Sequence, residues 1–267
     1  IWTQALFSIP LPIPGTPFAK ALAARERLLN QLRHLLQDSK NNVPSKPDER
    51  KGVDRLLDGL DENREPLEDD DLAEQLLLLL FAGYETTAST LSCLMRALLL
   101  DPTIIEWLQP EINQIPWPPK TNAPLALEPE SAPQLNAVIS EVMRLTPPVG
   151  GFFRRTRETI NIAGVMIPEG RVIQVALAAT NRQGPGDDLE CFRPQRHLDG
   201  SLGHILRPFG GGERVCLGQA LAELEIRLMT VGLLKQLRLR LIPGQNLSLR
   251  MVPSPVPQDG LLVEADL

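Results

Sequence analysis

The stretch Phe209-Gly210-Gly211-Gly212-Glu213-Arg214-Val215-Cys216-Leu217-Gly218 decides how this chain is read. Three consecutive glycines let a backbone turn tightly and approach a ligand closely. Cys216 stands where this loop gives way to a helical pattern over Gly218 to Leu237. There, backbone N–H groups and the positive helix end favour a thiolate over a thiol. A thiolate held in that way is a competent metal ligand, and Arg214, two residues earlier, suits an anionic group on the same ligand. A glycine-rich turn with a structural cysteine is the plain alternative for any single cysteine. By composition, Phe, Gly, Arg, Cys and Gly at these offsets arise by chance on the order of once in ten thousand chains of this length, which favours the ligand loop.

Working outward, the apolar run from Leu72 to Leu100 predicts a long helix, led by Asp69 to Asp71 at its positive end. It holds Ala82-Gly83-Tyr84-Glu85-Thr86-Thr87, an acid beside an alcohol in greasy surroundings. Gly83 removes a side chain where something flat could lie, and a threonine hydroxyl can take a backbone hydrogen bond and bend the helix. Leu76 to Leu100 is long enough to span a bilayer, but Glu85, Arg96 and several Ser and Thr argue for a buried core helix. Helical spacing is also expected over Ala19–Asp38, Val53–Leu60, Thr103–Gln114 and Gln134–Leu145. Ile160 to Ala178 reads as strands joined by tight turns. The tail reads as strand, turn at Gln258-Asp259-Gly260, strand. On the helix ending at Leu145, Glu141 and Arg144 share a face. His34, His197 and His204 form no ligand-spaced group and read as surface or loop residues.

The bulk figures agree with a folded protein. The chain has 267 residues, 43% hydrophobic and 22% charged, so disordered, collagen-like and disulfide-scaffold classes drop out. Only 4% of residues are aromatic, so the core must be aliphatic. The 25 prolines are residues that interrupt helices and central strands. A net charge of −6 argues against nucleic acid as the main partner. Three widely spaced cysteines, Cys93, Cys191 and Cys216, fit a reducing compartment better than a disulfide framework. The chain opens at Ile1, so it reads as the interior of a longer protein, with any targeting or anchoring segment outside it and localisation either cytoplasmic or membrane-associated.

The Cys216 stretch is similar to the haem-binding loop of the cytochrome P-450 family, the haem-thiolate monooxygenases. The resemblance implies a mainly α fold with small β-sheets, residues 1–267 forming the C-terminal portion of a single domain whose N-terminal portion is absent. It implies haem b as cofactor, with Cys216 as axial ligand, Arg214 and Arg154 at the propionates, and Phe209, Gly210, Gly218, Ala82 and Gly83 around the haem. Ala82 to Thr87 looks like the family's oxygen-activation segment, which assigns Thr86 and Glu85 to proton delivery. In Pro147 to Arg154 the resemblance places a strand beside the haem, with Val149 and Phe152 facing substrate. It makes Glu141 and Arg144 a structural ion network with Arg196 of Phe192-Arg193-Pro194-Gln195-Arg196, where the usual Glu and Phe around that arginine are Gln195 and His197.

Phe7 to Phe18, Pro147 to Gly151 and Pro243 to Leu249 look most like the branch that includes the retinoid-oxidising enzymes of cyanobacteria and animals. The implied activity is hydroxylation of an apolar, retinoid- or isoprenoid-like molecule by dioxygen. No flavin or nicotinamide fingerprint is present, so electrons are expected from a separate ferredoxin or flavin/NADPH reductase. Two other readings stay open: a peroxide-using haem-thiolate enzyme, and a catalytically silent helical module that binds an apolar ligand or a protein. A chain lacking its N-terminal part is expected to bind haem poorly or not at all by itself, since sheet edges and a cavity wall go unpartnered.

Overall fold

A computed structural model describes residues 8–42, 46, 49–61, 63–119, 130–184, 188–203 and 206–266. His204, the middle of the Pro-rich stretch before Gln134 and Phe7 of the Phe7 to Phe18 segment lie outside them. Contacts divide the chain into two compact units, Ile1–Tyr84 and Glu85–Leu267.

In the first unit, helix α1 (Pro17–Asn41) starts where the Thr16 hydroxyl accepts from the Ala19 N–H, with proline at the first position. Its Leu29, Leu32 and Leu36 are buried with Leu72 and Ala73 of the opening turns of α3 (Asp69–Leu100), and Val53 and Leu56 of the short α2 (Gly52–Leu56) pack on this cluster. Arg25–Glu74, Arg33–Asp70 and Lys40–Asp69 ion pairs edge it.

In the second unit, α3 continues to Leu100 and is followed by α4 (Pro102–Gln114), α5 (Pro133–Leu145) and, after the sheets, α7 (Gln219–Gln236). Their apolar faces, with Leu94, Leu98, Leu108, Ile112, Leu135, Val138 and Val231 fully buried, form the aliphatic core. The Asp101 side chain caps α4. Ala132 cannot cap α5, and the Glu111 carboxylate of α4 does so instead, accepting from the Gln134 and Leu135 N–H groups at 2.9 and 2.8 Å. Where a Cβ on Gly232 of α7 would stand, the Trp117 ring lies 2.8 Å away, so only glycine lets that indole rest on the helix backbone.

Four two-stranded antiparallel sheets complete the described residues: β1 (Phe152–Arg155) with β4 (Val172–Val175), β2 (Ile160–Ile162) with β3 (Val165–Ile167), β5 (Arg238–Leu241) with β8 (Val263–Asp266), and β6 (Leu249–Arg250) with β7 (Val256–Pro257). A four-residue α6 (Leu177–Thr180) follows β4.

Three expectations are corrected. Pro110 lies inside α4, on its exposed side, while Leu108 and Ile112 keep the buried face. The turn at Gly260 is present, with φ +84°, but it joins no simple hairpin: LSLR pairs with Val256-Pro257 ahead of the turn, and the last strand pairs with β5. The first half of α3 is not a core helix. Leu78, Leu79, Leu80, Phe81 and Tyr84 are exposed, because α1 and α2 cover only one side of it in their unit. It is the one helix among the described residues long and apolar enough to cross a membrane.

Candidate functional site

The Cys216 loop closes on itself. The Cys216 N–H donates to the Phe209 carbonyl at 3.1 Å, the Gly210 N–H to Arg207, and the Val215 N–H to Gly212. Gly210 and Gly212 sit at φ +79° and +70°, left-handed values that a side chain would strain. Gly212–Arg214 forms a single 3-10 turn, and α7 starts three residues after the cysteine with Gly218 as its N-cap. Half-buried Phe209 packs on the core, so the loop has a fixed root and an exposed tip bearing Arg214, Cys216 and Leu217.

Strand β1 runs against this loop: the Phe152 ring lies 3.7 Å from where a Gly210 Cβ would stand. The Arg154 guanidinium stacks over that ring at 4.2 Å and donates to the Phe153 carbonyl at 2.9 Å. The structure thus brings Phe152, Arg154, Phe209 and Gly210 together, with Val149 exposed just upstream. On α3, Ala82 and Gly83 are exposed, and a Cβ at Gly83 would meet no atom within 4 Å, which leaves that stretch of helix open. Glu85 and Thr86 are half-buried, and the Thr86 carbonyl accepts from the Thr90 hydroxyl at 3.0 Å.

Glu141, Arg144 and Arg196 meet in the interior. Arg144 holds the Glu141 carboxylate through Nε and Nη2 at 2.7 and 2.9 Å, and Arg196 Nε donates to it at 2.9 Å. The Arg193 N–H and His197 Nε2 also reach it, each at 2.9 Å. Burial would raise the Glu141 pKa, but donors from Arg144, His197 and Arg193 hold it at about 2. Arg196 continues to Asp188, which also pairs with Arg193. His197, read from sequence as a surface or loop residue, is instead nearly buried and bonded to the cluster. Its lack of ligand spacing said nothing about a carboxylate 56 residues away.

Two sets of contacts left no trace in the sequence pattern. Ser89 Oγ and Cys93 Sγ both donate to the Pro255 carbonyl, at 2.6 and 3.3 Å, and Arg96 Nε donates to Leu247, so one face of α3 is laced to the tail. Arg227 of α7 donates to Asn136 of α5 at 2.9 Å beside a cavity of about 270 Å³ that Phe209 and Gln219 also line.

A mainly helical fold with small sheets thus presents one exposed cysteine on a glycine loop, close to an arginine-bearing strand. A family model described as cytochrome P-450 matches residues 2–262, and the chain belongs to that family. It is 37% identical over 269 residues to putative cytochrome P-450 120 of Synechocystis sp., covering 98% of this chain and 59% of that protein. It is 30% identical over 281 residues to cytochrome P-450 26B1 of Xenopus tropicalis, covering 98% of this chain and 53% of that one. Among solved structures, retinoic-acid-bound cyanobacterial CYP120A1 matches with a TM-score of 0.86 at 37% identity, over 99% of this chain and 61% of the other. The chain therefore spans little more than half the length of these relatives.

The family's cofactor is haem b, and the residues present fit it. The loop offers one exposed sulfur donor with a cation, Arg214, two residues away, and a second cation, Arg154, stands on the adjoining strand. Within the same unit, Gly218 leaves open backbone beside that sulfur, since a Cβ there would meet no atom within 4 Å.

Proposed function

We propose that this chain is the C-terminal portion of a haem-thiolate monooxygenase that inserts one oxygen atom into a C–H bond of an apolar, retinoid- or isoprenoid-like molecule. The exposed Cys216 thiol on the Phe209-closed loop carries the reading. The retinoic acid in the cyanobacterial relative's structure supports the substrate class. Haem b, when bound, supplies the iron chemistry that reduces dioxygen.

Cys216 would hold the group through its sulfur as a thiolate. Arg214 and Arg154 would supply positive charge to the carboxylates of that group. Val149 and Phe152 give apolar contact to substrate. Glu85 and the Thr86 hydroxyl carry protons inward, while Thr90 ties down the Thr86 carbonyl. The balance is one C–H bond and dioxygen with two electrons and two protons, giving an alcohol and water. The electrons come from a separate ferredoxin or flavin/NADPH reductase.

Absorption of the reduced carbon monoxide complex, taken on a longer form of the protein that retains haem, tests the ligand. The thiolate signature is expected in the wild type and lost in Cys216→Ala; identical spectra would remove the assignment. Thr86→Ala is expected to leave that signature intact and, in turnover with a redox partner, to waste reduced oxygen as peroxide. Productive turnover with hydrogen peroxide alone would favour a peroxide-using enzyme, and apolar-ligand binding without iron ligation a silent module.

A further inference from the structure

The Glu141 cluster includes an imidazole beside its two arginines. Position 197 carries that imidazole. Its side chain is 11% exposed and its Nε2 lies 2.9 Å from Oε2 of a carboxylate with no exposure at all. Arg144 Nη2, the Arg193 N–H and Arg196 Nε all converge on Oε1, whereas Oε2 receives only Arg144 Nε and His197. An ionised carboxylate has about four acceptor positions and no donor, so the hydrogen in the His197 contact must sit on Nε2. The alternative ring tautomer would set two lone pairs face to face in the interior.

We propose that His197 is a positioning residue whose Nε2–H completes the coordination of Glu141 and pins the 3-10 turn Pro194–His197 to α5. The turn carries two further ties. Arg196 reaches back to the Asp188 carbonyl at 3.0 Å, and Arg193 spans Asp188, Asp199 and Ser201. His197 thereby fixes the start of the chain segment that runs into the Cys216 loop. A phenylalanine there would fill the same space and leave Oε2 one donor short.

The inference concerns the protein without haem, so it stands or falls apart from the function proposed above. The chain has three histidines, which makes ring-nitrogen NMR of ¹⁵N-histidine protein readable, with the His197 signals assigned by their loss in His197→Gln. A proton on Nε2 is expected, in a neutral or cationic ring; a neutral ring protonated on Nδ1 alone would overturn the proposal. Amide exchange at Arg193, whose N–H shares the carboxylate, gives the second measurement. His197→Gln retains a donor and is expected to exchange within about twofold of wild type, whereas His197→Phe is expected to exchange roughly ten- to a hundredfold faster, the range for losing a hydrogen bond to a charged group. Equal protection in the Phe variant, or a Gln variant no better than Phe, would also overturn it. If the Phe variant fails to fold, the wild-type tautomer decides.

Discussion

The three cysteines show how much a single side chain's surroundings matter. Burial pushes the Cys93 thiol above its ordinary range, while Cys191 and Cys216 are exposed. Iodoacetamide at neutral pH is expected to label Cys191 and Cys216 in the folded chain and to spare Cys93 until denaturant is added; peptide mapping reads the outcome. Glu141 gives a second residue-level test. Its folded pKa of about 2 lies below the unfolded carboxylate value of 4.5, so its contribution to stability is complete above about pH 4.5 and is lost as pH falls toward 2. Glu141→Gln is expected to flatten the pH dependence of unfolding in that window and to cost about 3–5 kcal/mol at neutral pH, since it leaves Arg144 and Arg196 buried without their counter-charge. Urea unfolding at several pH values measures both. Of these features, the Glu141–Arg144 spacing and the Cys216 loop were legible as pattern. The reach of His197 was not, because a contact between residues distant in sequence has no local signature.

Among the elements, helices were easier to read than their ends and pairings. Each long helix was visible from apolar periodicity; four of them start one to three residues earlier than expected, through Pro17, Asp69, Pro102 and Pro133, which suit first-turn positions, and α7 starts one residue later than expected, at Gln219. What could not be read was support from elsewhere. The cap of α5 comes from Glu111 on another helix, and β5 finds its partner in the last strand across the whole tail. Glu111→Ala is expected to destabilise the second unit by about 1 kcal/mol, the usual cost of a lost cap, and Glu111→Gln by less, as thermal melting would show. The tail is tied to α3 by the Pro255 carbonyl, so Ser89→Ala is expected to raise amide exchange in the 251–257 segment while leaving the α4–α5 core protected.

At the scale of the whole molecule, two aliphatic cores share no residue: one around Leu29, Leu36 and Leu72, the other around Leu98, Leu108 and Val231. Leu36→Ala and Leu98→Ala are each expected to cost about 2–5 kcal/mol, and the double variant to show their sum. Chemical denaturation of the singles and the double checks this; a large coupling would mean that the cores act as one. The leucine-rich composition made such cores foreseeable. It did not reveal that Leu78, Leu79 and Leu80 would lie outside both, since periodicity states that a surface is apolar and not what lies against it. The indole seated on Gly232 gives the molecule an internal reporter. Because α7 continues directly from the cysteine loop, any ligand that shifts this helix disturbs the ring, and the change is visible in intrinsic fluorescence without a label. A methyl group placed at position 232 would lever the ring outward, redden its emission and calibrate that signal.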